Sequence, residues 1–231
     1  MAASAADAPT RRTERHRGLR LRILSAVVLG PLLLAAIWFG FPWIDLVAAL
    51  AAPLMVSEWT GLTRGRPLIR LIAIGYTLAA ILALLWLRHQ PIQGRETVIW
   101  IVLCIWATDI GAYVVGRSAG GAKLAPRISP GKTWSGLVGG MAWAAVTSAA
   151  VGYTFDLGDT FALAGIGAGL AVVGQIGDLI ESAAKRRAGV KDSGTLIPGH
   201  GGLLDRIDGL LAALVVVALI RLAVGGDWPW A

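Results

Sequence analysis

Long apolar segments separated by short polar connections dominate this 231-residue chain. A helix needs about 20 mostly apolar residues to cross the hydrocarbon core of a bilayer. Seven segments fit that description, at 22–40, 43–60, 68–88, 97–117, 136–155, 160–180 and 204–224. The second is the least regular, because Asp45, Pro53 and Glu58 interrupt it. The chain is therefore predicted to be all-α, a polytopic membrane bundle of about seven helices.

Composition agrees with a membrane protein and excludes several other classes. Apolar residues make up 56% of the chain and charged residues only 15%, whereas soluble domains carry about 25% charged residues. Intrinsic disorder and collagen-like repeats require far more polar or periodic sequences. A disulfide framework is excluded because Cys104 is the single cysteine.

The distribution of basic residues predicts the orientation in the membrane. Most of the 21 Lys and Arg residues lie before the first segment or in the connections after the second, fourth and sixth, and short cytoplasmic loops are enriched in such residues. The N-terminus is therefore expected in the cytoplasm. Residues 1–21 form a basic tail, 22–96 the N-terminal membrane helices, and 97–231 a second membrane region with cytoplasmic loops 117–136 and 185–206. The enrichment of basic residues in cytoplasmic loops, together with their attraction to anionic lipid headgroups, accounts for the net charge of +7. No nucleic-acid partner is therefore expected.

Five acidic residues lie within or at the end of the fourth, sixth and seventh apolar segments, where a charge costs about 3 kcal/mol or more and usually serves function. Their positions in the fourth, sixth and seventh segments place them in the same half of the bilayer: Asp109, Asp178, Glu181, Asp205 and Asp208. The last four form two pairs spaced three residues apart, so each pair shares a helix face. Clustered carboxylates suit Mg²⁺, as one ion or two. The alternative is structural ion pairing, of Asp205 with Arg206 or Lys185 and of Glu181 with Lys185.

The two predicted loops are rich in glycine, lysine and arginine, which is typical of phosphate binding. Gly131-Lys132-Thr133 resembles the end of a P-loop, but Pro126 occupies the position of the first glycine and no strand is predicted before it. His200 has no second histidine or cysteine at zinc-ligand spacing, so hydrogen bonding or phosphate contact is expected of it. Ser182 and Ser193 lack the partners of a nucleophilic serine.

Residues 182–208 resemble the signature of phosphatidate cytidylyltransferases, the CDP-diacylglycerol synthases. The matching positions are Ser182, Lys185, Arg186, Lys191, Asp192, Pro198, Gly199, His200, Gly201, Gly202, Asp205, Arg206 and Asp208. Two shorter stretches also resemble the family, through Trp106, Asp109, Ala112, Tyr113 and Gly116, and through Ser129, Pro130, Lys132, Thr133 and Gly136. Gly131 and Ser135 depart from the family's lysine and glutamate. The resemblance covers about residues 97–224.

This resemblance implies a membrane nucleotidyltransferase that converts CTP and phosphatidic acid into CDP-diacylglycerol and pyrophosphate with a divalent metal. The catalytic candidates are Asp178, Asp205, Asp208 and Lys185, and the metal-ligand candidates are Asp178, Glu181, Asp205 and Asp208. The substrate-binding candidates are Asp109, Ser129, Lys132, Thr133, Ser182, Arg186, Lys191, Asp192, Gly199, His200, Gly201, Gly202 and Arg206. A cytoplasmic-membrane location, a site facing the cytoplasm, contact with membrane lipids and a homodimer are also expected.

Four alternatives to this function remain open from the sequence. A CTP-dependent polyprenol kinase would transfer the γ-phosphate, and a CDP-alcohol phosphotransferase would carry more aspartates in one helical stretch. An ion-coupled transporter could use the buried acids as a pathway, although no second copy of the 178–208 pattern exists in the other half. An inactive relative would be consistent with Gly131 and Ser135.

Overall fold

The computed structural model describes residues 27–194, 201–225 and 228–230. Within these ranges the chain forms seven helices and one hairpin. The helices are α1 (Val27–Phe39), α2 (Trp43–Leu62), α3 (Pro67–Arg88), α4 (Gly94–Ala119), α5 (Trp134–Thr154), α6 (Thr160–Arg187) and α7 (Leu204–Val224). The hairpin lies between α4 and α5 and consists of β1 (Lys123–Ala125) and β2 (Ser129–Thr133), paired antiparallel.

Six of these helices, α2 to α7, are long and apolar enough to cross a membrane. Many large apolar side chains lie on the outside of the bundle, among them Tyr153 and Phe161, whose exposed fractions are 83% and 89%. In water such a surface would aggregate, whereas in a bilayer it contacts lipid. The helical architecture expected from the sequence is therefore confirmed in its class, with α1 helical over its described residues.

Helices α4 and α6 extend furthest beyond their predicted bounds. Helix α4 begins at Gly94 and ends at Ala119, and α6 continues to Arg187. Lys185 and Arg186 therefore belong to α6 and not to a loop that begins at 185, because the run of Ala, Lys and Arg favours a helix. The hairpin was not predicted either, and β1 ends directly before Pro126, so the statement that no strand precedes that position is wrong.

The helices run alternately up and down, which places the α2–α3, α4–α5 and α6–α7 connections at one end of the bundle. We call this the basic end. Contacts between these connections and the adjoining helix ends show that they meet: Arg186 Nε of α6 donates to the Ile128 carbonyl of the hairpin at 3.2 Å, and Leu203 N donates to Glu58 Oε1 of α2 at 2.7 Å. Segments far apart in the chain therefore face one another there.

The opposite end is joined by a buried polar network. Trp100 Nε1 donates to Ser148 Oγ at 2.7 Å, and Ser148 Oγ donates to the Leu163 carbonyl at 2.6 Å, which links α4, α5 and α6. Trp230 packs edge-on against Trp100 and donates through Nε1 to Thr97 Oγ1 at 2.9 Å. Because these groups are buried in an apolar bundle, each hydrogen bond helps to fix the helix arrangement.

Replacing Ser148 by Ala is expected to lower the free energy of unfolding by about 1 kcal/mol, because it removes two interhelical hydrogen bonds. The structure of the basic end should be unchanged, since Ser148 lies at the opposite end of the bundle. Thr154→Ala is the matched control, because Thr154 Oγ1 bonds only to Ala150 of its own helix. Denaturant unfolding in mixed micelles checks this, and equal stability of the two variants would contradict it.

Candidate active site

A buried ion cluster joins α6 to α7 at the basic end. Lys185 Nζ lies 2.6 Å from Asp205 Oδ1 and 3.3 Å from Glu181 Oε1. The side chains of all three residues are at most 10% exposed. Charges with so little solvent must be paired, since an isolated charge in an apolar medium is strongly disfavoured. The cluster therefore fixes the relative position of the two helices at this depth.

The second oxygen of Asp205 holds both described parts of the α6–α7 connection. Asp205 Oδ2 accepts from Ser193 N at 2.8 Å, Ser193 Oγ at 3.0 Å and Gly202 N at 2.8 Å. Gly201 has a φ of +86°, and a Cβ built there would lie 2.7 Å from Asp205 Oδ2. Only glycine fits this turn without strain. Asp205 therefore organises the turn that carries the predicted signature.

The hairpin supplies a second lysine to the site. Lys132 of β2 forms an ion pair with Asp178 through Nζ and Oδ2, and Ser182 Oγ donates to Asp178 Oδ1 at 3.1 Å. The neighbouring Thr133 caps α5 by accepting from Gly136 N at 3.0 Å. This cap fixes where β2 ends, and it thereby aims Lys132 towards α6.

Asp208 and Asp109 complete the acidic surroundings. Glu181 and Asp208 face each other beside a small cavity that Trp59 and Tyr76 also line. Asp109 lies on an exposed face of α4, within electrostatic range of Asp178, Asp208 and Lys132. All five acids singled out from the sequence are thus brought to the same end of the bundle.

The donor chemistry of this cluster fits a hard cation. Among the described residues no three His, Cys, Asp or Glu side chains already form a group that could hold a metal ion. Both carboxylate oxygens of Glu181 are nevertheless buried, Lys185 Nζ lies 3.3 Å from Oε1, and Asp208 faces the carboxylate. Two ionised carboxylates in such proximity repel each other unless a proton or cation compensates them. Carboxylate oxygens are the ligands that Mg²⁺ prefers.

Both ion pairs of the structural alternative, Asp205–Lys185 and Glu181–Lys185, are present. They do not account for the whole cluster. Lys132 reaches Asp178 from a separate hairpin, whereas Asp109 and Asp208 remain beside it as further acids. Structural pairing explains why Lys185 is tolerated, but it does not explain why five acids and two lysines converge.

The other predicted substrate-binding residues lie around this cluster. Arg186 donates to the carbonyls of Ile128 and Val190 and so joins α6 to the hairpin. Lys191, Asp192 and Arg206 are exposed, and Ser129 is half-buried in β2. Gly202 is buried and packs against Ser193. Gly199 and His200 lie outside the described residues.

The two departures from the family pattern differ in structural setting. Ser135 Oγ donates to the Gly120 carbonyl and lies 3.0 Å from Thr133 Oγ1, so it ties the hairpin to the end of α4. Gly131 is exposed, and a Cβ built there would have no neighbour within 4 Å among the described atoms. Packing therefore does not require glycine at this position.

Sequence reasoning missed one residue of the site, Glu58 of α2. Its side chain is buried and accepts hydrogen bonds from Leu203 N, Leu204 N and Ser193 Oγ. The available signal was an acid within an apolar segment, which we interpreted only as an interruption of that segment. Its partners are mostly backbone N–H groups distant in sequence, and no motif spacing indicates such contacts.

Fold and site together define a multi-pass helical membrane protein with a lysine–carboxylate cluster at one end. Residues 66–223 match the model of the cytidylyltransferase family. The phosphatidate cytidylyltransferase of Brucella suis is 43% identical over 176 residues, which cover 76% of this chain and 64% of the relative. That of Rickettsia bellii is 36% identical over 90% of this chain and 93% of the relative. The chain belongs to the cytidylyltransferase family.

A further phosphatidate cytidylyltransferase, from Pseudomonas aeruginosa, is 42% identical over 86% of this chain and 71% of its own length. The chain spans about two thirds of the length of the Brucella relatives, 64%. It matches the Rickettsia bellii relative along nearly its whole length. The family resemblance inferred from residues 97–224 is thus confirmed and extends towards the N-terminus.

Close contact between α6 and α7 beside Asp208 should be required for turnover. A Cβ built at Gly177 would lie 2.7 Å from Ala212 Cβ and 2.8 Å from the Asp208 carbonyl oxygen. Gly177→Ala should therefore force the helices apart, lower the free energy of unfolding by about 1–3 kcal/mol and reduce turnover. Gly169→Ala on the same helix is the control, because nothing described lies within 4 Å of its added Cβ.

Thermal unfolding and initial rates of cytidylyl transfer measure the two effects. Gly169→Ala is expected to keep wild-type turnover and to change stability by less than about 1 kcal/mol, since Ala is the better helix former. Wild-type rates in Gly177→Ala would show that the site does not depend on this contact.

Proposed function

We propose that this protein transfers the cytidylyl group of CTP to phosphatidic acid and so forms CDP-diacylglycerol and pyrophosphate. The observation that carries the proposal is that two ion pairs, Lys132–Asp178 and Lys185–Asp205, lie at the same end of a membrane bundle. Cations and hard oxygen ligands at that position suit a triphosphate and a lipid phosphate. The names of the relatives in Brucella, Rickettsia and Pseudomonas support the same reaction.

The proposed reaction is an in-line displacement at the α-phosphorus of CTP. An oxygen of the phosphatidate phosphate forms the new P–O bond, and the bond to the β-phosphate breaks to release pyrophosphate. The attacking oxygen is already anionic, so the step needs no strong general base. Charge neutralisation and positioning supply most of the catalysis in such transfers. This requirement fits a site rich in lysine and carboxylate.

Within this scheme the lysines bind phosphate oxygens and the carboxylates set the lysines' positions. Lys132 projects from the hairpin and would contact the nucleotide phosphates, while Lys185 lies deeper between α6 and α7 and would neutralise charge at the reacting phosphorus. Arg186, Lys191 and Arg206 are exposed at the basic end and would hold the remaining phosphate oxygens. Ser129, Ser182 and the glycine turn at 201–202 would add hydrogen-bond donors.

A divalent cation, Mg²⁺ as one ion or two, would be held by Asp178, Glu181, Asp205 and Asp208. When bound, such an ion neutralises phosphate charge and orients the oxygens of the triphosphate. The burial of the Glu181 carboxylate beside a second acid, Asp208, supports this assignment. Asp208 opposite Glu181 provides the second carboxylate that such an ion requires.

The basic end is proposed to face the cytoplasm of a bacterial inner membrane. Its connections carry Arg64, Arg66, Lys123 and Arg127, as the enrichment of basic residues in cytoplasmic loops predicts. CTP would then arrive from the cytosol and the lipid by lateral diffusion past the exposed face of α4 at Asp109. A homodimer, expected from the family resemblance, stays a prediction.

The experiment uses purified protein in detergent with phosphatidic acid, Mg²⁺ and CTP labelled at either the α- or the γ-phosphate. Label from the α-position is expected in the lipid product, and label from the γ-position in pyrophosphate. Chelation with EDTA should stop both. Asp178→Asn should reduce turnover by about 100-fold, because Lys132 loses its counter-charge and its alignment for the substrate phosphates.

Thr154→Ala serves as the control variant, since Thr154 is remote from the basic end. γ-Label in the lipid would replace the proposed reaction by a CTP-dependent lipid kinase. Full metal-dependent turnover in folded Asp178→Asn would contradict the site assignment while leaving the reaction itself standing.

A further inference from the structure

Helix α2 enters the site through one buried acid. Glu58 is 6% exposed and lies one turn before the end of α2 at Leu62. It belongs to a segment that precedes the family match at 66–223. Its carboxylate is directed away from its own helix and into the start of α7. A buried carboxylate in this position requires compensation, which it obtains from three hydrogen bonds.

These hydrogen bonds cap a helix that carries no cap of its own. Glu58 Oε1 accepts from Leu203 N at 2.7 Å, and Oε2 accepts from Leu204 N at 2.9 Å. Helix α7 begins at Leu204, and its N-cap residue Leu203 makes no side-chain cap bond. The first N–H groups of a helix need acceptors, and a negative charge there is favoured by the helix dipole. Glu58 supplies both from another helix.

The same carboxylate is linked to Asp205 through one hydroxyl. Ser193 Oγ lies 2.9 Å from Glu58 Oε2 and 3.0 Å from Asp205 Oδ2. A serine hydroxyl has a single proton to donate, so the two acids share it. Gly202 lies between them, and a Cβ built there would be 2.0 Å from Ser193 Oγ and 2.6 Å from Glu58 Oε2. Glu58 therefore touches the structure that holds Asp205, and Asp205 in turn holds Lys185.

We propose that Glu58 is a positioning residue that holds the α6–α7 turn and α7 so that Asp205 and Lys185 are aligned for the transfer reaction. This inference rests on the proposed function for its effect on rate, although the contacts themselves do not. This role requires no contact between Glu58 and the substrate. It acts through Ser193 and the backbone at Leu203 and Leu204.

The test is Glu58→Gln, which keeps the size of the side chain. Glutamine has one acceptor oxygen, whereas glutamate has two. The amide nitrogen of glutamine is a donor, so it cannot accept a hydrogen bond from the backbone N–H group that it would face. At a temperature where the variant is fully folded, kcat should fall about tenfold or more. Hydrogen–deuterium exchange should rise in peptides covering 201–208 and stay at the wild-type level in α4 and α5.

Asp45→Asn is the matched control, because Asp45 is an acid of the same helix but lies at the opposite end of the bundle. There its Oδ1 is 3.0 Å from His89 Nε2. This variant should leave kcat and the exchange of 201–208 unchanged. Ser193→Ala in both backgrounds adds a double-mutant cycle, in which the loss on removing Ser193 should be smaller when Glu58 is already Gln.

Wild-type kcat and wild-type exchange in folded Glu58→Gln would overturn the proposal. Faster exchange spread evenly over all helices would also overturn it, because that result marks a general loss of stability. If the wild-type protein shows no cytidylyl transfer, the proposed function fails. In that case the exchange at 201–208 alone decides whether Glu58 holds the turn.

Discussion

The buried charges on α6 and α7 constrain the rest of the molecule, because each must be compensated inside an apolar bundle. Lys185 compensates Glu181 and Asp205 between the two helices. Lys132 reaches Asp178 from the hairpin. The connections at the basic end consequently fold inward and pack against the site. Their conformation follows from a requirement of charge pairing that sequence periodicity does not express.

Close helix packing sets the depth and separation of these charges. Gly174 and Gly177 of α6 lie against Gly209 and the Asp208 backbone, so α6 and α7 approach closely beside the acids. At the other end the network through Trp100 and Ser148 holds α4, α5 and α6 together. Helices in lipid associate through such small residues and hydrogen bonds, because the hydrophobic effect does not drive helices together in a medium as apolar as their side chains. The hydrogen-bonded end thereby supports the end that carries the candidate site.

The apolar segments predicted the helical class, and the cost of burying acids singled out the five acids of the candidate site. Both signals can be recognised within short stretches of sequence. The hairpin escaped prediction because Pro130 and Gly131 are poor strand formers, and its pairing depends on Ser135, Gly120 and the end of α4. Glu58 escaped because its partners are backbone groups 145 residues away. Tertiary contacts of this kind leave no spacing pattern in a single sequence.

The central claim is that the lysine–carboxylate cluster between α6 and α7 exists for chemistry and not only for stability. The triple variant Lys185→Met, Glu181→Gln, Asp205→Asn removes all its charges together and leaves no charge of the cluster unpaired. Removing one partner of a buried ion cluster leaves an uncompensated charge and is strongly destabilising, and removing all three charges together avoids that cost. The measurement is the rate of CDP-diacylglycerol formation by folded triple variant, with thermal unfolding as the check on folding. The account predicts a folded protein without detectable turnover, and near-wild-type turnover would contradict it.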